Sequence, residues 1–263
     1  MSVRTGIVFR PDFRPDTLQE TAAAAAERAG VAELWLWEDC FLQGGIAQAA
    51  VALVSSETLT VGLGVLPAPL RNVVTTAMEI ATLEAMFPGR LRVGIGHGVQ
   101  DWMRQAGAAV ASPLTLMREY VSALSDLLAG QSVTVDGRYL RLADVRLDWA
   151  PQQRVPVLIG GTGPKTLALA GEIADGVILD SQFTVATLRD AVGHVASGRP
   201  DRGETSFSTV LFLECSADQV AAAAGPYLDL GVDTLVFQPV GPSTVVPELI
   251  TAVGDVAQRL LSR

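Results

Sequence analysis

The sequence predicts a single (β/α)8 barrel spanning residues 1–263, in a variant with short insertions. Three observations predict it. Eight short β-branched runs alternate with eight Ala- or Leu-rich runs of helical period, and such alternation implies parallel strands joined by right-handed crossovers. The 263 residues match the usual size of one barrel. A hydrophobic content of 49% with only 18% charged residues fills a large core and excludes disorder. An open, doubly wound sheet is the alternative arrangement of the same units.

The elements follow in order. TGIVF at 5–9 is short and apolar, a buried strand. The run 16–29 is Ala-rich, with the best helix former repeated, and Gly30 is a fitting stop. ELWLW at 33–37 is the second strand and 46–55 an apolar second helix. TVGLGVL at 60–66 and the helix 74–86 form the third unit; RLRVGIG at 90–96 and the long helix 114–129 form the fourth. Residues 131–142 carry Asp136-Gly137 between alternating runs, a hairpin signal that interrupts the repeat. The remaining units are 155–160 with 165–174, 176–180 with 184–196, 206–214 with 217–230, and 234–238 with 246–261.

Composition narrows the function. Nineteen basic against 28 acidic residues give a net charge of -9, with no basic cluster, which argues against nucleic-acid binding. The two cysteines, Cys40 and Cys215, stand far apart and form neither a disulfide framework nor a CxxC site. With only His97 and His194 available, no metal site is expected. Charged residues in the first sixteen positions rule out a signal-peptide core, and the charge-free stretch 40–56 is too short and polar to span a membrane. The expectation is a soluble cytoplasmic protein with a small-molecule substrate and neither a nucleic-acid nor a membrane partner.

In such a barrel the chemistry sits at the C-terminal ends of the strands. There the sequence places Arg10 and Asp12, then Glu38, Asp39 and Cys40, then Arg71, His97 and Asp180. The loop GGTGPKT, from Gly160 to Thr166, leaves a strand and opens a helix. Its glycines (Gly160, Gly161 and Gly163) permit close backbone approach, Pro164 suits a first helical turn, and free amides with the helix dipole favour an anion. Lys165 and the Thr166 hydroxyl add to it. The alternative is a tight turn with Thr162 as an ordinary cap; the loop is not a Walker A motif. His97 and Gly98 lie in a second glycine-rich strand end, as a ligand contact or as a loop anchor. Glu38 and Asp39 are adjacent and point oppositely in an extended chain, so one can serve as acid, base or orienting group while the other caps a loop. Trp35 and Trp37 read as packing, and His194 as a helix-surface residue.

The stretch 60–102, TVGLGVLPAPLRNVVTTAMEIATLEAMFPGRLRVGIGHGVQDW, resembles the luciferase-like monooxygenase superfamily, and 156–180, PVLIGGTGPKTLALAGEIADGVILD, resembles its phosphate loop and flanking strands. The likeness is to the branch that uses coenzyme F420. The resemblance implies cofactor binding at the barrel mouth, and a third-strand bulge at Gly64–Val65, often with a non-prolyl cis peptide, behind the ring system. It implies His97 and Gly98 beside the cofactor, and Gly160, Gly161, Thr162, Gly163, Lys165 and Thr166 on its phosphate. It puts Asp39 near the reacting ring, so Asp39 or His97 would move the proton accompanying hydride transfer. An FMN-dependent monooxygenase fed by a separate reductase is the alternative, and a flavin-binding protein without turnover a third. A homodimer is also implied. Three features depart from the pattern. Cys40 stands where several deazaflavin enzymes of the family have His. The His and Glu acid–base pair of the sugar-phosphate dehydrogenases is not both placed. The insertion usual after the seventh strand is missing.

Overall fold

The computed structural model describes residues 3–28, 30–199, 207–241 and 246–261. Eight parallel strands close a barrel: β1 (Arg4–Phe9), β2 (Glu33–Leu36), β3 (Thr60–Pro67), β4 (Leu91–Gly96), β7 (Val157–Gly160), β8 (Gly176–Leu179), β9 (Ser208–Cys215) and β10 (Thr234–Pro239). The sheet runs in chain order and closes where β1 pairs with β10, Ile7 opposite Phe237. The helices are α1 (Leu18–Glu27), α2 (Gly45–Val54), α3 (Val73–Met86), α4 (Gln100–Gln105), α5 (Pro113–Leu128), α6 (Pro164–Ile173), α7 (Val185–Ser197), α8 (Val220–Ala224) and α9 (Val246–Leu261). The antiparallel pair β5 (Val133–Asp136) and β6 (Arg141–Val145) lies outside the barrel. Ala29 and Ser206, at the expected ends of the first helix and start of the seventh strand, lie outside the described residues.

The strands are apolar on both faces, and each face has its own core. Outward residues such as Ile7, Leu34, Leu36, Val93, Ile159 and Leu211 join the helices in one cluster. Inward residues Val8, Trp35, Leu158, Ile178, Val210, Phe212 and Val236 form a second cluster inside the cylinder. Trp35 is fully buried, and it fits because its neighbours on β3 are glycines. A Cβ on Gly62 would fall 2.3 Å from its ring, and one on Gly64 2.9 Å.

Below this layer a charged plug closes the N-terminal end. Glu33 is wholly buried and takes Arg92 at 2.8 Å, Arg4 at 2.9 Å and the Trp35 indole N–H at 2.7 Å. Arg92 also donates to Thr234 and lies over the Trp35 ring. A buried carboxylate persists only when paired in this way. The sequence reading saw ELWLW as a plain strand and missed this plug.

Three local expectations are corrected. The predicted helix 217–230 is broken into a 3-10 turn at Ala217–Gln219, α8, and a second turn at Gly225–Tyr227, because Pro226 has no N–H to continue the ladder. The hairpin turn spans residues 137–140, beyond the dipeptide signal, because Glu119 of α5 accepts the N–H groups of Arg138, Tyr139 and Leu140. The short helix α4 follows the fourth strand where only a loop was expected.

Candidate active site

The site is built from what the strands deliver to the C-terminal mouth. One half of the mouth, on β3, β4 and β7, is organised around Val65. The Gly64–Val65 bond is cis, and the register with β4 shifts between Leu63 and Leu66, so the bulge falls where the resemblance implied it. The Val65 side chain lies over three glycines. A Cβ on Gly96 would sit 2.3 Å from Val65 Cγ2, one on Gly160 2.5 Å from Cγ1 and one on Gly94 3.2 Å from Cγ1. The glycines of two distant strand ends are therefore explained together: they make room for one side chain from a third strand.

Next to this surface stands the N-terminus of α6. Gly163 is its N-cap with no side-chain cap, Pro164 opens the first turn, and Thr162 and Lys165 are exposed. Thr162 is thus not the ordinary cap that the sequence left open. Uncapped amides at a helix start, with the positive end of the dipole, form a seat for an anion. Thr166 packs on Gly161, whose Cβ would meet its methyl at 2.5 Å.

His97 is tied into the scaffold. Its Nε2 lies 3.0 Å from the Thr166 hydroxyl, and the Pro113 carbonyl takes a ring hydrogen bond. Burial nonetheless outweighs that bond and lowers its pKa, favouring the neutral ring. Gly98 has φ +68° and sits on Met103, where a Cβ would fall 2.7 Å from the sulfur. Gln100 donates to the carbonyl of Gly98 at 3.2 Å. The geometry favours the anchoring reading of His97: it links the fourth-strand loop and the start of α5 to the first turn of α6.

The other half of the mouth is polar. The adjacent carboxylates after β2 divide as the extended chain requires. Glu38 accepts the Gly45 N–H at 2.6 Å and both Arg71 Nε and Nη2 at 2.7 Å, while Arg71 also holds Glu79 at 2.7 Å. Glu38 therefore caps α2 and locks two loops together. Asp39 is half-buried, and burial pushes its carboxyl up, against the opposing charge of Arg10 and with the aid of Asp12. Arg10 is itself occupied, binding both oxygens of Asp12 and the Pro239 carbonyl at 3.2 Å. Cys40 precedes a second cis bond, to Phe41, and burial followed by Asp39 and Glu38 raises its thiol pKa. On the far wall Gln238 donates to Glu214 at 3.0 Å, and Asp180 accepts the Gln182 N–H at 3.0 Å.

Trp37 lies two residues beyond Trp35 on the inward face, with its ring 6.0 Å from Phe212. Its indole nitrogen is buried and has no partner. The sequence reading passed over it as packing. Among the described residues no three metal-ligating side chains converge, and no helix is long and apolar enough to cross a membrane.

A parallel (β/α)8 barrel, bulged in its third strand, with an open helix start beside the bulge, defines the class. Residues 6–234 match the family model described as luciferase-like monooxygenase, and the chain belongs to that family. It is 30% identical over 181 residues to 5,10-methylenetetrahydromethanopterin reductase of Methanolobus tindarius, covering 67% of this chain and 55% of the relative. It is 30% identical over 196 residues to F420-dependent glucose-6-phosphate dehydrogenase of Beutenbergia cavernae, covering 69% and 57%. The matches thus span little more than half the length of these relatives. In fold it is similar to monooxygenase RslO1 from Streptomyces bottropensis, at a TM-score of 0.84, 17% identity and 99% of both chains. It is also similar to an F420-dependent secondary alcohol dehydrogenase solved with an F420-acetone adduct, at a TM-score of 0.83, 18% identity and coverage of 97% of this chain and 98% of that one.

Proposed function

We propose that this barrel is an oxidoreductase that binds coenzyme F420 at its mouth and transfers a hydride between the cofactor and a small organic substrate. The carrying observation is a juxtaposition: an uncapped helix N-terminus beside the bulge where Val65 lies over glycine backbone. The first fits an anionic tail and the second a planar ring. The name of one of the two relatives, F420-dependent glucose-6-phosphate dehydrogenase, supports F420 over other flavin-like groups.

When bound, the cofactor supplies the hydride chemistry. The protein's part is placement and proton management. Gly160, Gly161, Thr162, Gly163, Lys165 and Thr166 would hold the phosphate. Gly64 and Val65 would back the ring, Gly98 and His97 would line its side, and His97 keeps Thr166 in position. Asp39, whose desolvated carboxyl holds a proton more readily than a free one, supplies or accepts the accompanying proton. FMN with a separate reductase is the second reading, supported by the description of the matched family model. We also assign the chain as one unit over 1–263, acting in the cytoplasm as a homodimer. The exposed Val51, Val54, Met78 and Met86 on α2 and α3 supply an apolar face for the dimer. Sedimentation showing only a 27.6 kDa species would remove the dimer.

Lys165 is the only lysine in the sequence, which makes the anion seat directly testable. An amine-selective reagent read by peptide mass labels Lys165 and the chain's N-terminal amine alone. F420 is expected to protect Lys165 and to bind at tens of micromolar or below in a fluorescence titration, with FMN as the comparison. Binding of FMN alone moves the assignment to the second reading. Failure of both to bind or to protect Lys165 refutes the cofactor site.

A further inference from the structure

The Thr166 hydroxyl joins His97 to the start of α6. That first turn offers fewer amides than an ordinary helix start. Pro164 has no N–H, and the Thr166 N–H is spent on the Gly163 carbonyl at 3.0 Å. A ligand oxygen seated there depends the more on the Thr166 hydroxyl. That hydroxyl has a single hydrogen to donate, and His97 Nε2 lies 3.0 Å from its oxygen.

Which way this bond points follows from the ring's other partner. The Pro113 carbonyl can only accept, so the bond it takes uses an imidazole N–H. A neutral imidazole has one N–H. With that hydrogen spent on Pro113, the nitrogen facing Thr166 is a bare acceptor and takes the hydroxyl hydrogen. Thr166 then shows the seat only lone pairs, which repel an anionic oxygen. A protonated ring reverses this. Both nitrogens donate, Nε2–H turns to the Thr166 oxygen, and the hydroxyl hydrogen is released to the ligand.

The charged side chains on the surrounding elements are Lys165 on α6, Asp180 after β8, the Asp101–Arg104 pair on α4 and the Arg118–Glu172 pair between α5 and α6, with Asp39 in the other half of the mouth. Burial and the Pro113 bond set the ring's pKa, and no charged side chain among the described residues contributes to it. Burial prevails, so the neutral ring is favoured before a ligand arrives.

We infer that His97 positions the Thr166 hydroxyl for the ligand's anionic group and couples binding to a proton: the free protein favours a neutral His97 with its hydrogen on Nδ1, an anion in the seat favours the ring protonated on both nitrogens, and anion affinity rises as pH falls through the histidine range. This rests on the phosphate seat of the proposed oxidoreductase. His97 is a positioning residue that acts through Thr166, and its second proton is taken from solvent on binding. By reciprocity, the factor by which protonation strengthens binding is the factor by which the ligand strengthens protonation.

Sulfate is the probe, because its charge is constant across about pH 5 to 8, where histidine changes its own. His97 and His194 are the chain's two histidines, so ring nitrogen-15 NMR of the full chain is assigned with His97→Gln alone. Without ligand, the neutral His97 ring is expected to carry its hydrogen on Nδ1. Saturating sulfate is expected to raise the ring's pKa by about one unit, and to bind about tenfold more tightly to the charged ring than to the neutral one. Thr166→Val keeps the methyl that packs on Gly161 and removes the hydroxyl. It should cut that rise by about half or more, and Thr166→Ser should restore it. Lys165→Gln should weaken sulfate at every pH and leave the rise in place. An unchanged circular dichroism spectrum shows that the variants fold, and the ring tautomer is read on the unaltered chain. An Nε2–H ring in the free protein, a sulfate affinity flat with pH, or a rise undiminished by Thr166→Val overturns the relay while the seat stands. If sulfate, F420 and FMN all fail at every pH to shift the His97 signals or to protect Lys165, the seat is refuted and the coupling falls with it.

Discussion

Placing a methyl group at Gly96 tests whether Val65 organises the mouth. The added Cβ would lie 2.3 Å from Val65 Cγ2, far inside contact distance, and Gly96 is buried on β4. Overpacking of this kind costs about 1–3 kcal/mol. At about 2–4 °C per kcal/mol for a domain near this size, Gly96→Ala should lower Tm by about 2–12 °C. Val65→Ala removes two methyl groups worth about 0.8 kcal/mol each when fully buried; partial exposure brings the loss to about 1 kcal/mol. In the double variant the new methyl enters the vacated space, so the cycle should show a favourable coupling of about 1–2 kcal/mol. Gly160→Ala, at 2.5 Å from Val65 Cγ1, should behave in the same way. Gly193→Ala is the control of opposite sign. No atom lies within 4 Å of that Cβ, the residue is inside α7, and alanine there should stabilise by about 0.5–1 kcal/mol. Thermal and urea unfolding measure all of these. A Gly96→Ala protein as stable as the parent, or a double variant additive within about 0.5 kcal/mol, would refute the role given to Val65.

Glu33→Gln should cost about 3–5 kcal/mol in urea unfolding, because it leaves Arg92 largely uncompensated at the barrel floor; a loss under about 1 kcal/mol would show that Thr234 and Asp233 suffice. Arg71→Met should speed amide exchange at Gly45 and in the loop after β2, since it frees Glu38 from its two-pronged anchor; unchanged protection there would deny Arg71 that task. For His97 the sign follows from the direction of its shift. Burial lowers its folded pKa below the ordinary 6.5, so the neutral ring's contribution is present above that value and is lost as pH falls through the folded one. The stability advantage of the parent over His97→Gln should therefore shrink from pH 7 toward about pH 5, and a constant gap in Tm across that interval would contradict it.

The repeat of eight strands and eight helices was legible because both periods are local: a buried parallel strand is an apolar run, and each helix carries its own spacing and stop signals. The glycine-rich strand ends and the loop 160–166 were legible for the same reason. Their partners were not. Nothing near Gly96 or Gly160 in sequence names Val65, which reaches both only because β3, β4 and β7 are brought side by side. Glu38 and Asp39 are indistinguishable in composition. Arg71, 33 residues away, binds the first and leaves the second facing the mouth. Trp37 looked like its neighbour Trp35, yet one indole N–H finds Glu33 and the other finds no acceptor. The sequence by itself determined the architecture and the elements that supply the mouth. The closed barrel alone decided which side chains meet there, since those meetings depend on the register of strands tens of residues apart, which no local propensity encodes.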